Sequence, residues 1–309
     1  MNQKQFKAVK DLDISKFMMI VVSILDKIGV EGLYHGNVDE SDAKFAQDEI
    51  CRLLKASGGS GGLPRKKYPR QFVSQIPESS NLKCVAKDPT DPNTATEVYF
   101  QVGKDNTFDR VLADLLTEMM YEPLYDQVRT KDQFGYQVSC DSRWTDGIIG
   151  MHFQVVTSSK TAEEVEARIE KFLTDFRQIL HDMSRDDFLE HLNGLAKQKL
   201  DMFNSMSEET GHYWSEIRNG RYIWQVEREE ALCLKGITKE QALEAYDKWL
   251  FPGNNKKRRR LSVQVVATTD ASTSEEISML SQDEIEDYND ERVKEFHKSC
   301  KNQTFGKIY

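Results

Sequence analysis

Cysteine is sparse in this chain and badly placed for structural bonding. Cys51, Cys84, Cys140, Cys233 and Cys300 are odd in number and widely spaced, and no two form a C-x-x-C pair. That excludes a disulfide framework or a zinc ribbon and suits free thiols in a reducing, cytoplasmic compartment. Long apolar runs are lacking too. The longest, Phe17 to Leu25, is interrupted by Ser23 and falls well short of the roughly 20 residues that span a bilayer, so no membrane partner is expected. No basic stretch followed by an apolar core opens the chain, and no secretory signal is read there; the start of a fragment says nothing about its parent's targeting. Positive charge is in deficit as well. With 42 basic against 51 acidic residues the formal net charge is -9, which excludes a general nucleic-acid binder because phosphate neutralisation needs a basic face.

Familiar catalytic spacings are also missing. The six histidines are scattered, with no H-x-x-x-H pair, and no Ser-His-Asp or Cys-His constellation is recognisable. The run Ser57–Gly62 (SGGSGG) has no following Lys-Ser or Lys-Thr, so it is not a phosphate loop.

What is present suits a folded protein. Hydrophobic residues make up 39% of the 309 and charged residues of both signs 30%, enough for a core under a solvated surface. An apolar face at Phe17, Ile20, Val21, Ile24 and Ile28 predicts a helix over 14–28, capped by Asp13. A strand is expected over 30–35. After the Gly36-Asn37 turn a second helix is expected over 40–55, with Ala43, Ala46, Ile50 and Leu53 inside. Further on, strands are expected over 70–75, 81–86 and 96–102, the last alternating Val98, Phe100 and Val102 with polar residues. A helix capped by Asn106 buries Phe108, Val111, Leu112, Leu115 and Met119, and Pro123 should end or bend it. Strands over 133–140 and 147–156 flank Asp146-Gly147, a hairpin signal.

From Val156 on the pattern is helical. Thr161 with Glu164, and Ser184 with Asp187, have capping spacing, and helices are expected over 208–219, 226–234 and 239–250. The basic run Lys256–Arg260 precedes a strand over 261–267 and reads as a solvated loop rather than a polyanion patch. A polar helix over 282–298 closes the chain. The whole is an α+β architecture, a mixed or antiparallel sheet with helices packed on one face. Helix–strand at 14–35 faintly repeats helix–strand at 237–267, so a partial copy of the same domain is expected first. The Gly/Ser run is flexible in composition. The expected organisation is therefore a domain tail at 1–56, a linker at 57–69 and a complete domain at 70–309.

The ten residues Arg129–Val138, RTKDQFGYQV, set an arginine and a tyrosine seven residues apart across a helix–strand junction. Either can donate a hydrogen bond to a peptide carbonyl. On residue type alone Arg129 is a surface ion-pair residue. Tyr136 shares strand parity with Phe134, Val138 and Cys140 and reads as core. Gly135 marks a bulge or a close backbone approach.

The segment resembles the RTKEQLGY-type segment in the C-terminal half of the insulin-degrading enzyme family of inverted-motif zinc peptidases. LYHGNVDESDA (Leu33–Ala43) resembles that family's strand–HGN–helix element near the end of its third domain. HYWSEI (His212–Ile217) and GITKEQALEAYDKWL (Gly236–Leu250) resemble helices of the fourth, and RLSVQVV (Arg260–Val266) its closing strand. The matches cover most of 33–266, in order.

The resemblance implies four homologous domains in two bowl-like halves around a closed chamber, with zinc and the base on an H-x-x-E-H helix in the first domain. This chain would be the tail of the third domain plus the fourth. Zinc would belong to the full-length parent and none would be bound here. Arg129 and Tyr136 would contact the substrate carbonyl and the developing oxyanion. The partners implied are the N-terminal half of the same polypeptide and peptide substrates, with self-association possible through an exposed edge at 30–35. Alone the fragment is expected to be inactive. The alternative is a non-catalytic structural or peptide-binding subunit of the same fold.

Asp187–His191 (DFLEH) looks like H-x-x-E-H with aspartate first. Asp187 stands where a capping box wants an acid and is also placed to pair with His191 one turn on. The motif aligns with an ordinary helix of the fourth domain, and no third ligand follows downstream.

Overall fold

The computed structural model describes residues 9–10, 12–25, 28–56, 73–77, 79–86, 88–253 and 258–267. The Gly/Ser run, the closing polar helix and Cys300 lie outside them. The described elements are α1 (Ile14–Leu25), α2 (Glu40–Ala56), β1 (Ser79–Val85), β2 (Thr94–Lys104), α3 (Thr107–Leu124), a π-helical segment (Tyr125–Lys131), β3 (Gln137–Thr145), β4 (Ile148–Thr157), α4 (Ala162–Asp182), α5 (Arg185–Lys199), α6 (Met206–Arg218), α7 (Val226–Leu234), α8 (Lys239–Trp249) and β5 (Arg260–Val266). They fall into two compact units, 1–71 with 203–222, and 72–202 with 223–309.

The second unit is a five-stranded mixed sheet in the order β1-β5-β2-β4-β3. Only β1 and β5 pair in parallel; the other pairs are antiparallel. Alternation decides its faces. Val98, Phe100, Met151, Phe153 and Val155 are buried under α3, α4 and α8, while the intervening Tyr99, His152 and Gln154 stay half-exposed. Gly150 leaves room for the Tyr99 ring, since a Cβ there would come within 2.1 Å of it. The β3–β4 hairpin turns at Asp146 and Gly147, with φ of 46° and 77°. Two left-handed residues in a two-residue loop match the right-handed twist of the strands.

Caps behave as the sequence implies. The Asn106 side chain accepts from Asp109 N at 2.9 Å, Thr161 and Glu164 close a capping box, and Ser184 Oγ accepts from Asp187 N.

Three expectations fail. First, the strand expected at 70–75 is, where described, a single bridge at Gln75. Buried Gln101 holds that stretch instead, accepting from Ile76 N and donating to Ser74 O, each at 3.0 Å. Second, Phe108 is 41% exposed, although Val111, Leu112, Leu115 and Met119 on α3 are buried. Third, the basic run before β5 is not a solvated loop where it is described. Arg260 is 6% exposed. It donates to Glu170 Oε1 at 2.8 Å, to Asn81 Oδ1 and to Glu166, which also accepts from Gln264 at 2.6 Å. Arg258 pairs with Glu170 as well. A guanidinium on the helix-covered face needs such partners, because an unpaired buried charge is far more costly than a paired one.

The first unit departs further. α1 runs Ile14–Leu25 and buries none of its residues, although it is apolar nearly all round. The face expected to be inside, including Phe17, Ile20 and Ile24, is exposed, because no sheet lies against it among the described residues of this unit. On α2 Ala43 and Ala46 are half-buried, but Ile50 and Leu53 are exposed. No strand forms over 30–35. This stretch is anchored by side chains instead. His35 Nδ1 lies 2.7 Å from Thr210 Oγ1 on α6 and its Nε2 3.4 Å from Glu209. The Tyr222 hydroxyl donates to Glu31 at 2.7 Å.

Candidate functional site: an arginine–tyrosine pair at a π-helical junction

α3 does not end at Pro123. The proline sits inside the helix, where its missing N–H removes the ordinary i+4 donor to the Met119 carbonyl. Past Leu124 the chain continues as a π-helix to Lys131, closed by Asp132 N donating to Gln127 O. π-Helical segments are rare and recur at functional sites, and this one carries Arg129.

The loop back to the sheet is tightly specified. Phe134 N donates to Val128 O at 2.9 Å, and Gln133 takes a left-handed φ of 53°. Gly135 lies against β4, where a Cβ would stand 2.2 Å from Val156 O. The close approach expected of that glycine is present and tolerates no side chain. Asp132 accepts from Arg168 and from Gln127 Nε2, the latter at 3.0 Å. Partial burial alone would raise the Asp132 pKa; the bonds from Arg168 and Gln127 and the Arg168 charge outweigh it and hold the carboxyl below its ordinary value.

Arg129 and Tyr136 meet across this loop. Arg129 Nε donates to the Tyr136 main-chain carbonyl at 3.2 Å, and the guanidinium carbon lies 5.1 Å from the centre of the Tyr125 ring. Among the described residues the two terminal guanidinium nitrogens and the Tyr136 hydroxyl hold no partner. Tyr136 is 60% exposed while Val138 and Cys140 are buried. The reading of Tyr136 as core fails because β3 begins only at Gln137. Tyr136 stands on a bend before the pleat, so strand parity does not apply to it. The result is an exposed arginine on the π-helical segment and an exposed phenol on the loop that follows it, both with donors to spare.

Tyr125 and Asp132 were not singled out from the sequence. The signal for Tyr125 was there in the spacing Tyr121, Tyr125, Arg129, which puts three residues on one helix face.

The chain is a relative of the insulin-degrading enzymes. It is 26% identical to the human insulin-degrading enzyme over 261 residues, 84% of this chain and 25% of that protein. With the insulin-degrading enzyme of Drosophila melanogaster it is 31% identical over 284 residues, 89% of this chain and 28% of the other. With a nardilysin-like protein of Arabidopsis thaliana it is 27% identical over 269 residues, 85% and 26% of the two chains. Residues 115–214 match the family described as PQQ synthase PqqF-like, C-terminal lobe domain 4. The fold agrees with the crystal structure of pitrilysin at a TM-score of 0.65 and 18% identity, over 77% of this chain and 24% of that one. This insulin-degrading enzyme relative spans about a quarter of the length of the curated proteins it matches. Both site residues lie inside the matched family segment.

The DFLEH residues of this relative do not fit a zinc site. Asp187 accepts from Ser184 Oγ at 2.7 Å. His191 Nδ1 lies 2.9 Å from Glu118 on α3 rather than pairing with Asp187 as expected. No group of three metal-ligating side chains occurs among the described residues, and no helix among them is long and apolar enough to cross a membrane.

Proposed function

We propose that this chain is the C-terminal, zinc-free portion of a zinc metalloendopeptidase that cuts peptides inside a closed chamber. It closes the chamber against the N-terminal half of the same polypeptide, which holds zinc and base. Arg129 and Tyr136 bind the substrate backbone and stabilise the carbonyl oxygen as it gains charge. The observation that carries this reading is the pair itself: an exposed phenol and a guanidinium pinned by its Nε, each with unused donors, at the positions that resemble the family's own motif. A fixed guanidinium and a phenol donate well to a developing oxyanion where water is scarce.

A non-catalytic peptide-binding subunit would use the same donors on a ground-state carbonyl. The two readings separate on turnover. In the first, the isolated chain given zinc and a fluorogenic peptide gives no cleavage, and the same chain joined to its zinc-bearing half gives chelator-sensitive cleavage. Turnover by the isolated chain contradicts this division of labour. Binding without cleavage by the joined protein favours the subunit.

A further inference from the structure

We infer that Tyr125 is the positioning residue of this site: its ring sets the plane of the Arg129 guanidinium. What the guanidinium then binds rests on the function proposed above; the positioning does not. Tyr125 is half-buried and packs against the core cluster, so it is a fixed platform. Its ring stacks on Tyr121 with centroids 6.4 Å apart and planes 17° apart, and the guanidinium lies over it at 5.1 Å. The three residues recur every fourth position through the α-to-π junction.

An arginine side chain is long and rotamer-rich, and on a surface one hydrogen bond does not fix its head group. Two contacts of different kinds do. Nε is committed to the Tyr136 carbonyl, which fixes one point. The ring face attracts the cation and favours a guanidinium in register with it, which fixes the plane about that point. The two terminal nitrogens then present a fixed fork to a ligand oxygen. Nε also ties Arg129 to the backbone that carries Tyr136, so the platform indirectly sets the spacing of both donors. Lysine at 129 has one point charge and no Nε, and cannot answer to both contacts. Leucine at 125 keeps apolar packing but offers no ring face. Phenylalanine keeps the face, and the hydroxyl is not needed.

The test is a spectroscopic signature in the whole chain. In a ¹H–¹⁵N spectrum of arginine side chains, the Arg129 Nε–Hε resonance, assigned by its loss in Arg129→Lys, is expected to be slow to exchange and shifted upfield by the Tyr125 ring current. Tyr125→Phe should keep both properties. Tyr125→Leu should lose them with the circular dichroism spectrum and thermal midpoint unchanged. An unshifted, fast-exchanging Hε in the unaltered protein overturns the inference without any variant having to fold. So does a Tyr125→Leu resonance that stays in place. In the peptidase that joins both halves, Tyr125→Leu should lower kcat/KM roughly two- to fivefold, the scale of an exposed cation–π contact, and should have no effect once Arg129 is alanine. If the resonance moves as expected and kcat/KM does not, the platform stands and the catalytic role proposed for Arg129 falls.

Discussion

Arg129 Nε donates to the main-chain carbonyl of Tyr136 at 3.2 Å, joining a π-helical segment to the lead-in of an edge strand. The bond spans seven residues, and the chain between is held by Asp132, Gln133 and Gly135. Each of these makes a different demand on the sequence.

Gly135 should tolerate no side chain. The backbone of β4 stands where a Cβ would go, and strand backbone cannot give way as a flexible side chain can. Gly135→Ala should lower stability by about 1–3 kcal/mol, the range of overpacking. It should also displace Tyr136 from the bend before β3. Urea denaturation reads the first effect. The exchange rate of the Arg129 Nε proton reads the second.

Asp132 gives the loop a dependence on pH. Its carboxyl titrates lower when folded than in the unfolded chain, where it would have its ordinary value near 3.9. The folded state therefore holds the proton more weakly, and the contribution is fully present above about pH 4 to 5. It is lost as pH falls through the unfolded and then the folded value. Asp132→Asn should be less stable than the parent at pH 7, and the difference should be smaller near pH 3. Chemical denaturation at the two pH values checks this; a stability difference that does not shrink on acidification contradicts it.

Arg260 tests the buried network between β5 and α4. Removing one partner of a buried ion pair leaves the other charge uncompensated and typically costs about 3–5 kcal/mol. Arg260→Ala should show a loss of that size in urea. Arg260→Met combined with Glu166→Gln should recover much of it, since Glu166 no longer carries a charge that Arg260 must balance. Glu170 keeps Arg258 as a partner.

Legibility in the sequence followed local chemistry. Capping residues, the Asp-Gly hairpin and the alternation along β2 act over a few residues and were readable at Asn106, Thr161, Ser184 and Asp146. The pair Arg129 and Tyr136 was singled out only through resemblance. On residues alone Tyr136 was assigned to the core, because the strand was started at Gln133, four residues before β3 begins. The π-turn was hidden, since widening a helix leaves no composition mark beyond Pro123. Arg260 was misjudged because a basic run looks solvated unless the carboxylates that meet it, Glu166 and Glu170, are known to lie on the helix packed over β5. The strand expected at 30–35 had suitable residues but no neighbouring strand among the described residues, and a strand without a partner leaves its backbone groups unpaired.

The central claim is that Arg129 and Tyr136 act on a carbonyl as it gains charge. Steady-state kinetics of peptide cleavage by the full-length protein, with Arg129→Ala and with Tyr136→Phe, tests it most directly. Loss of one oxyanion donor typically lowers kcat about 100- to 1,000-fold. Each variant is therefore expected to fall by that order in kcat, with KM changed far less and thermal stability unaltered. Unchanged kcat in both variants, with the protein folded, would contradict the account.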